Sequence, residues 1–144
     1  MAVSQRWDTT AIRAGGSLAL LFAIPAFFAA SWASNREMVA LAAVFSFAAL
    51  AAFMLGAGCA AWVQRLRLPL AHGLVTAIGT YLAVQVVVSA YRLARGDSID
   101  LFGIFFYLTL AALAGLLGGL VGQRLRSVGF VPSSERTIDQ GGRS

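Results

Sequence analysis

Four apolar runs of roughly twenty residues govern what this chain can fold into, because that is about the length an α-helix needs to cross hydrocarbon. They cover residues 14–33, 38–63, 73–91 and 101–121. The charged residues collect in short clusters between the runs and do not alternate along amphipathic faces, as they would in a soluble bundle. A hydrophobic content of 59%, a charged content of 12% and a mean hydropathy of +0.79 point the same way. A lipid-facing strand cannot satisfy its backbone groups alone, and barrel strands show about ten alternating residues. The expected fold is therefore all-α: a polytopic membrane protein with four transmembrane helices in a compact bundle of two hairpins, one domain over residues 14–123. Arg6 and Arg13 precede an apolar stretch ending in Ser31, Trp32 and Ala33, which loosely matches a cleavable signal peptide. Its apolar run exceeds the roughly 7 to 15 residues of a signal core, which favours an uncleaved helix.

Orientation follows from arginine, since the chain has no lysine. One side would carry Arg6, Arg13, Arg65, Arg67, Arg124, Arg126, Arg136 and Arg143; the other would carry Arg36, Arg92 and Arg95. Positive charge beside spans stays in the cytoplasm, so residues 1–13, the loop 64–72 and residues 124–144 are expected there. The segment from Val128 onward has few apolar residues, which predicts a disordered tail.

The tetrapeptide QRLR occurs at Gln64 to Arg67 and again at Gln123 to Arg126, an offset of 59. The same offset pairs Arg13 with His72, Ser17 with Thr76, Trp32 with Tyr91, Arg36 with Arg95, Phe47 with Phe106 and Gly56 with Gly115. One reading is a duplicated hairpin whose copies are parallel and related by an axis along the membrane normal. The other is that arginines and interfacial aromatics recur wherever helices leave a membrane, so two helices stop alike.

The fourth run holds Ala111, Gly115 and Gly119 at spacing four, with Ala114, Gly118 and Gly122 beside them. The second holds Ala48, Ala52, Gly56 and Ala60. Small residues in such rows let helix backbones approach closely in lipid, so these residues are the expected packing interface, within the bundle or with a second protomer. The third run presents Thr76, Thr80, Tyr81, Gln85 and Ser89 as its polar stripe. Gln85 needs amide partners in hydrocarbon, with Ser46, Thr109 and Tyr107 as the available ones. The stripe reads as hydrogen-bond glue between helices, or as the lining of a solute path.

No Asp, Glu, Arg, Lys or His lies in the middle of a span, where coupled carriers place an ionisable group. The comparison with small multidrug transporters fails on this point: they have a carboxylate in the first helix, where this chain has Pro25 and Phe27. Pro25 removes a helical hydrogen bond and is expected to bend the first span. No set of His, Cys, Asp or Glu has catalytic or metal-ligand spacing, so neither an enzyme nor a cofactor is expected. His72 reads as an interfacial histidine at a helix start, and Cys59 as a packing residue. In the third loop, Arg95, Gly96 and Asp97 form an adhesion-like tripeptide. Local chemistry accounts for it: Gly96 suits a left-handed helix end, and Asp97 and Asp100 suit the cap and first turn of the next helix. Trp7, Trp32, Trp62, Tyr91 and Tyr81 suit the interfaces. The arginines are divided between two faces, which argues against nucleic acid and for anionic lipid headgroups as partner.

Pro25 in the first run, GAGCAAW closing the second, PLAHGL opening the third and GLLGGLVG closing the fourth resemble small four-helix bacterial integral membrane proteins of uncharacterised function. The likeness covers residues 14–123 and implies a fold and an inner-membrane location; no active residue carries over. The expected role is an accessory or structural component that binds other membrane proteins or itself, and the competing one is a small uncoupled channel or transporter subunit acting as an oligomer.

Overall fold

A computed structural model of the protein describes residues 7–96, 98–130 and 132. They form four helices, α1 (Thr9–Ser34), α2 (Val39–Val63), α3 (Pro69–Ala94) and α4 (Leu101–Ser127), each long and apolar enough to cross a membrane. The fold is all-helical, as the four runs predict. Three helices outrun their apolar stretches, because helix ends are set by caps as well as by hydropathy. Asp8 caps α1 by accepting from the Ala11 N–H at 3.1 Å, and Asp100 caps α4 by accepting from the Gly103 N–H at 3.0 Å. Pro69 occupies the first turn of α3, where its missing N–H costs nothing. Helix α1 is continuous through Pro25. Arg6, Asp97, Arg136, Arg143 and the expected disordered tail beyond residue 132 lie outside the described residues.

The two QRLR copies do not stop their helices alike. Gln64 is extended at the end of α2 and Arg65 to Arg67 form a loop, with Arg67 left-handed at φ 57°. Gln123 to Arg126 lie inside the last turns of α4. The residue that decides is Pro69, two positions after the first copy: a proline ring disfavours helical backbone just before it, so the chain turns and restarts at Pro69. No proline follows the second copy until Pro132.

Helix α1 packs on α2 and α3, and α4 packs on α2 and α3; among the described residues α1 and α4 do not touch. The parallel pairs α1/α3 and α2/α4 are thus neighbours, with α2 and α3 also in contact across the middle. A twofold axis would demand an α4/α1 contact to match α2/α3. Its absence among the described residues argues against the axial form of the duplicated-hairpin reading: the hairpins lie side by side.

Within each hairpin the offset of 59 persists into atomic detail. Glu37 (φ 59°) and Gly96 (φ 76°) are the left-handed residues of the two outer turns. Their N–H groups donate to Ser34 and Leu93 at 3.0 Å each, and those of Arg36 and Arg95 donate to Ala33 and Arg92. Arg36 lies over the Trp32 ring at 4.8 Å, and Arg95 over Tyr91 at 5.6 Å.

Candidate functional site

Three small-residue seams hold the bundle together, and they dispose of the rows read from the sequence. In the first, α2 turns Gly56 and Ala60 toward α1: a Cβ at Gly56 would lie 2.5 Å from the Gly15 carbonyl oxygen and 2.6 Å from Ala19 Cβ. In the second, Gly115 and Gly119 of α4 face α3, where a Cβ at Gly73 would lie 2.7 Å from the Gly115 carbonyl oxygen. In the third, Gly118 and Gly122 face α2, where a Cβ at Gly122 would lie 2.5 Å from the Gly58 carbonyl oxygen and 2.8 Å from Ala61 Cβ. The broad glycine face of α4 therefore serves two neighbours, with Ala111 and Ala114 buried above it. The rows of α2 and α4 do not meet each other through Gly56 and Gly115; each meets the helix before it in the chain. Ala52 is buried, but Ala48 is exposed and Ala49 takes its place, since a spacing of four drifts off a face that repeats every 3.6 residues. Sequence reading passed over the partner row in α1, Ala11, Gly15, Ala19 and Ala23, although all four are fully or nearly fully buried and their spacing of four was in plain view.

The polar stripe of α3 divides at its middle. Thr76, Thr80 and Tyr81 are buried. The Tyr81 hydroxyl donates to the Ile104 carbonyl at 2.9 Å and so ties α3 to α4, which places Tyr81 in the packed interior and not at an interface. Thr76 Oγ1 is buried and finds no hydrogen-bond partner among the described residues. Gln85 and Ser89 are half-buried and, among the described residues, bond each other, Nε2 to Oγ at 3.4 Å, along the same helix. Two of the three expected cross-helix partners are engaged elsewhere: Ser46 donates to the Ala42 carbonyl and Thr109 to the Phe105 carbonyl, each four residues back on its own helix. Among the described residues the interhelical bond of this stripe is that of Tyr81, and Gln85 makes none.

A polar clasp sits at the end of the bundle where α1 begins and α4 ends. His72, in the first turn of α3, is fully buried there. Its Nε2 accepts from the Asp8 backbone N–H at 3.0 Å, so the ring proton sits on Nδ1, 2.9 Å from the Leu68 carbonyl oxygen. The remaining Asp8 carboxylate oxygen accepts from the Arg65 N–H at 3.1 Å. Gln64, 1% exposed, accepts from the Leu68 N–H through Oε1, and its backbone carbonyl accepts from Arg126 Nη1. The Trp62 indole donates to the Phe130 carbonyl at 2.7 Å. Side chains here bond backbone groups, which is what holds irregular chain together where helices end. One QRLR copy thereby grips the other. Asp8 was legible as a cap, standing directly before Thr9 and Thr10 and an apolar run; the 64-residue separation of its bond to His72 left no local signal.

Among the described residues no three of His, Cys, Asp or Glu come together in a way that could hold a metal ion. Fold and hydropathy define the class: a multi-pass α-helical membrane protein built from two adjacent hairpins. Compared with known protein families, with curated proteins and with solved structures, the chain matches none of them.

Proposed function

We propose that this protein is an accessory or structural component of a bacterial cell membrane, with both termini and the α2–α3 loop in the cytoplasm, that works by associating with other membrane proteins. One observation supports this above others: Tyr81, His72, Asp8 and Gln64 each bond backbone of the same chain, which fits polar residues kept to fix a fold. The three glycine seams close the space between helices and oppose a path through a single chain. Because those seams are internal, a partner would meet the outer faces of the hairpins, not the Ala111 to Gly122 surface. Gentle solubilisation and affinity capture test the role. A stoichiometric membrane partner is the expected result, and capture of the chain alone, as a homo-oligomer with solute flux, would sink it. Reporter fusions at the C-terminus test the orientation, which an externally active reporter would overturn.

The channel reading keeps one specific support. Gln85 and Ser89 are only half-buried and, among the described residues, unlinked to other helices, so several copies could bring these pairs around a shared path. Liposome flux compared between wild type and Gln85→Leu separates the two, since an apolar substitution would raise a dewetting barrier in a pore.

A further inference from the structure

We propose that the open groove beside the C-terminal ends of α2 and α4 binds one anionic phospholipid, its phosphate at Arg124 and an acyl chain along Leu117, Val121 and Leu125. The groove has a volume of about 600 Å³, and Arg124 is the one charged residue in an otherwise apolar lining. Its floor comes from α4 and from Met54 of α2, and its far wall from Val128 and Phe130. That wall is fixed in advance, because the Trp62 indole holds the Phe130 carbonyl. An apolar lining with a single cation in the last turns of α4 matches the two chemistries of a phospholipid, and the place matches too: Arg124 stands where α4 passes from apolar residues into QRLR.

The charge balance favours an anionic headgroup over a zwitterionic one. Arg65, Arg67, Arg124 and Arg126 gather at this end, and the Asp8 carboxylate is already occupied by the Ala11 and Arg65 N–H groups. Arg126 is engaged with the Gln64 carbonyl, whereas among the described residues no side-chain hydrogen bond or ion pair holds Arg124. A second copy of the chain fits less well, because the close-packing glycines face inward and the groove presents Leu and Val. The inference depends on the membrane reading of the helices and not on the accessory role, so failure to find a protein partner leaves it standing.

The test is photolabelling of the full chain in phosphatidylcholine nanodiscs that contain a trace of either phosphatidylglycerol or phosphatidylcholine with a diazirine on its acyl chain. The expected result is a preference of the phosphatidylglycerol probe for Leu117, Val121 and Leu125. That preference should fall roughly fivefold in Arg124→Gln, the factor one arginine near an anionic lipid is worth. Arg124→Lys should keep it, as should Arg13→Gln on α1. Val121→Trp, which fills the groove and leaves the charge, should remove labelling there by both probes. Equal labelling by the two lipids, an unchanged preference in Arg124→Gln, loss of labelling on adding inorganic phosphate, or adducts to a second protein at these positions would each overturn the assignment.

Discussion

The two hairpins share one plan and differ in how they meet their surroundings. In each, the second helix lays a small residue against the backbone of the first, Gly56 against Gly15 and Gly115 against Gly73; Gly56 and Gly115 keep the constant offset of 59, while their partners lie 58 apart. Between the hairpins that constancy ends. The row of α4 that packs on α2, Gly118 and Gly122, has Cys59 and Val63 as its counterparts in the first hairpin. The row of α2 that receives it, Gly58 and Ala61, has Leu117 and Leu120 as counterparts in the second. Those leucines are 54% and 48% exposed. Side-by-side packing is a heterologous contact that could in principle repeat without limit. Bulky residues on the outer faces stop it at two, because smallness is placed on only one side of each hairpin.

The largest expected effect comes from filling a seam. Gly118→Leu would drive a side chain into the Met54 carbonyl and Ala57 Cβ and should destabilise by about 1 to 3 kcal/mol or separate the hairpins. Gly56→Leu should cost as much, and Gly115→Leu slightly less, since a Cβ there first meets Ala77 Cβ at 2.8 Å and not a carbonyl at 2.5 Å. Leu116→Ala and Leu120→Ala should change far less. Thermal unfolding in detergent ranks them, and equal losses across the set would mean that the seams are not what holds the hairpins together.

Tyr81→Phe is next. It removes the one described side-chain bond between α3 and α4 and should cost about 0.5 to 1.5 kcal/mol. Its counterpart Phe22 is 53% exposed, so Phe22→Tyr should be near neutral. A stability loss of the same size at both positions would erase this difference between the hairpins.

The outer turns call for opposite signs. Gly96→Ala places a Cβ in open space but in a left-handed backbone, at a cost of about 1 kcal/mol. Glu37→Gly relieves that strain, less the chain entropy of glycine, for a net gain of a few tenths of a kcal/mol, roughly. Melting shifts of the same sign would show the turns to be unlike in spite of their shared hydrogen bonds. The smallest effect is that of Gln85→Leu, at most about 0.6 kcal/mol with permeability unchanged.

Much of this architecture was legible because hydrocarbon imposes its length on each helix, and because Gly56, Gly115 and Gly118 can serve little else in a lipid-facing run. Which glycine met which helix was not legible. Gly115 and Gly118 stand three apart on one helix, and only the placement of α2 and α3 around it assigns them different neighbours. Gln85 misled for a related reason: a polar group in hydrocarbon must bond something, but Ser89 one turn along satisfied it as well as another helix would. The clasp at Asp8, Gln64 and His72 joins residues far apart in sequence, and hydropathy carries no trace of such bonds. His72, polar and beside a span, looked like a border residue for the same cause that lets it be buried: its two ring nitrogens find backbone partners.

The grip of Arg126 on the Gln64 carbonyl spans 62 residues, and that of Phe130 on Trp62 spans 68. A chain made from its N-terminus lays down α1, α2 and the loop between α2 and α3 long before either partner exists. Until α4 is complete, the loop carbonyl and the Trp62 indole must be served by water or lipid headgroups, and the Gly58 seam stays open to hydrocarbon. The last turn of α4 thus locks a corner laid down earlier, and a chain halted before Leu101 would be a three-helix intermediate with the Gly58 edge unsealed.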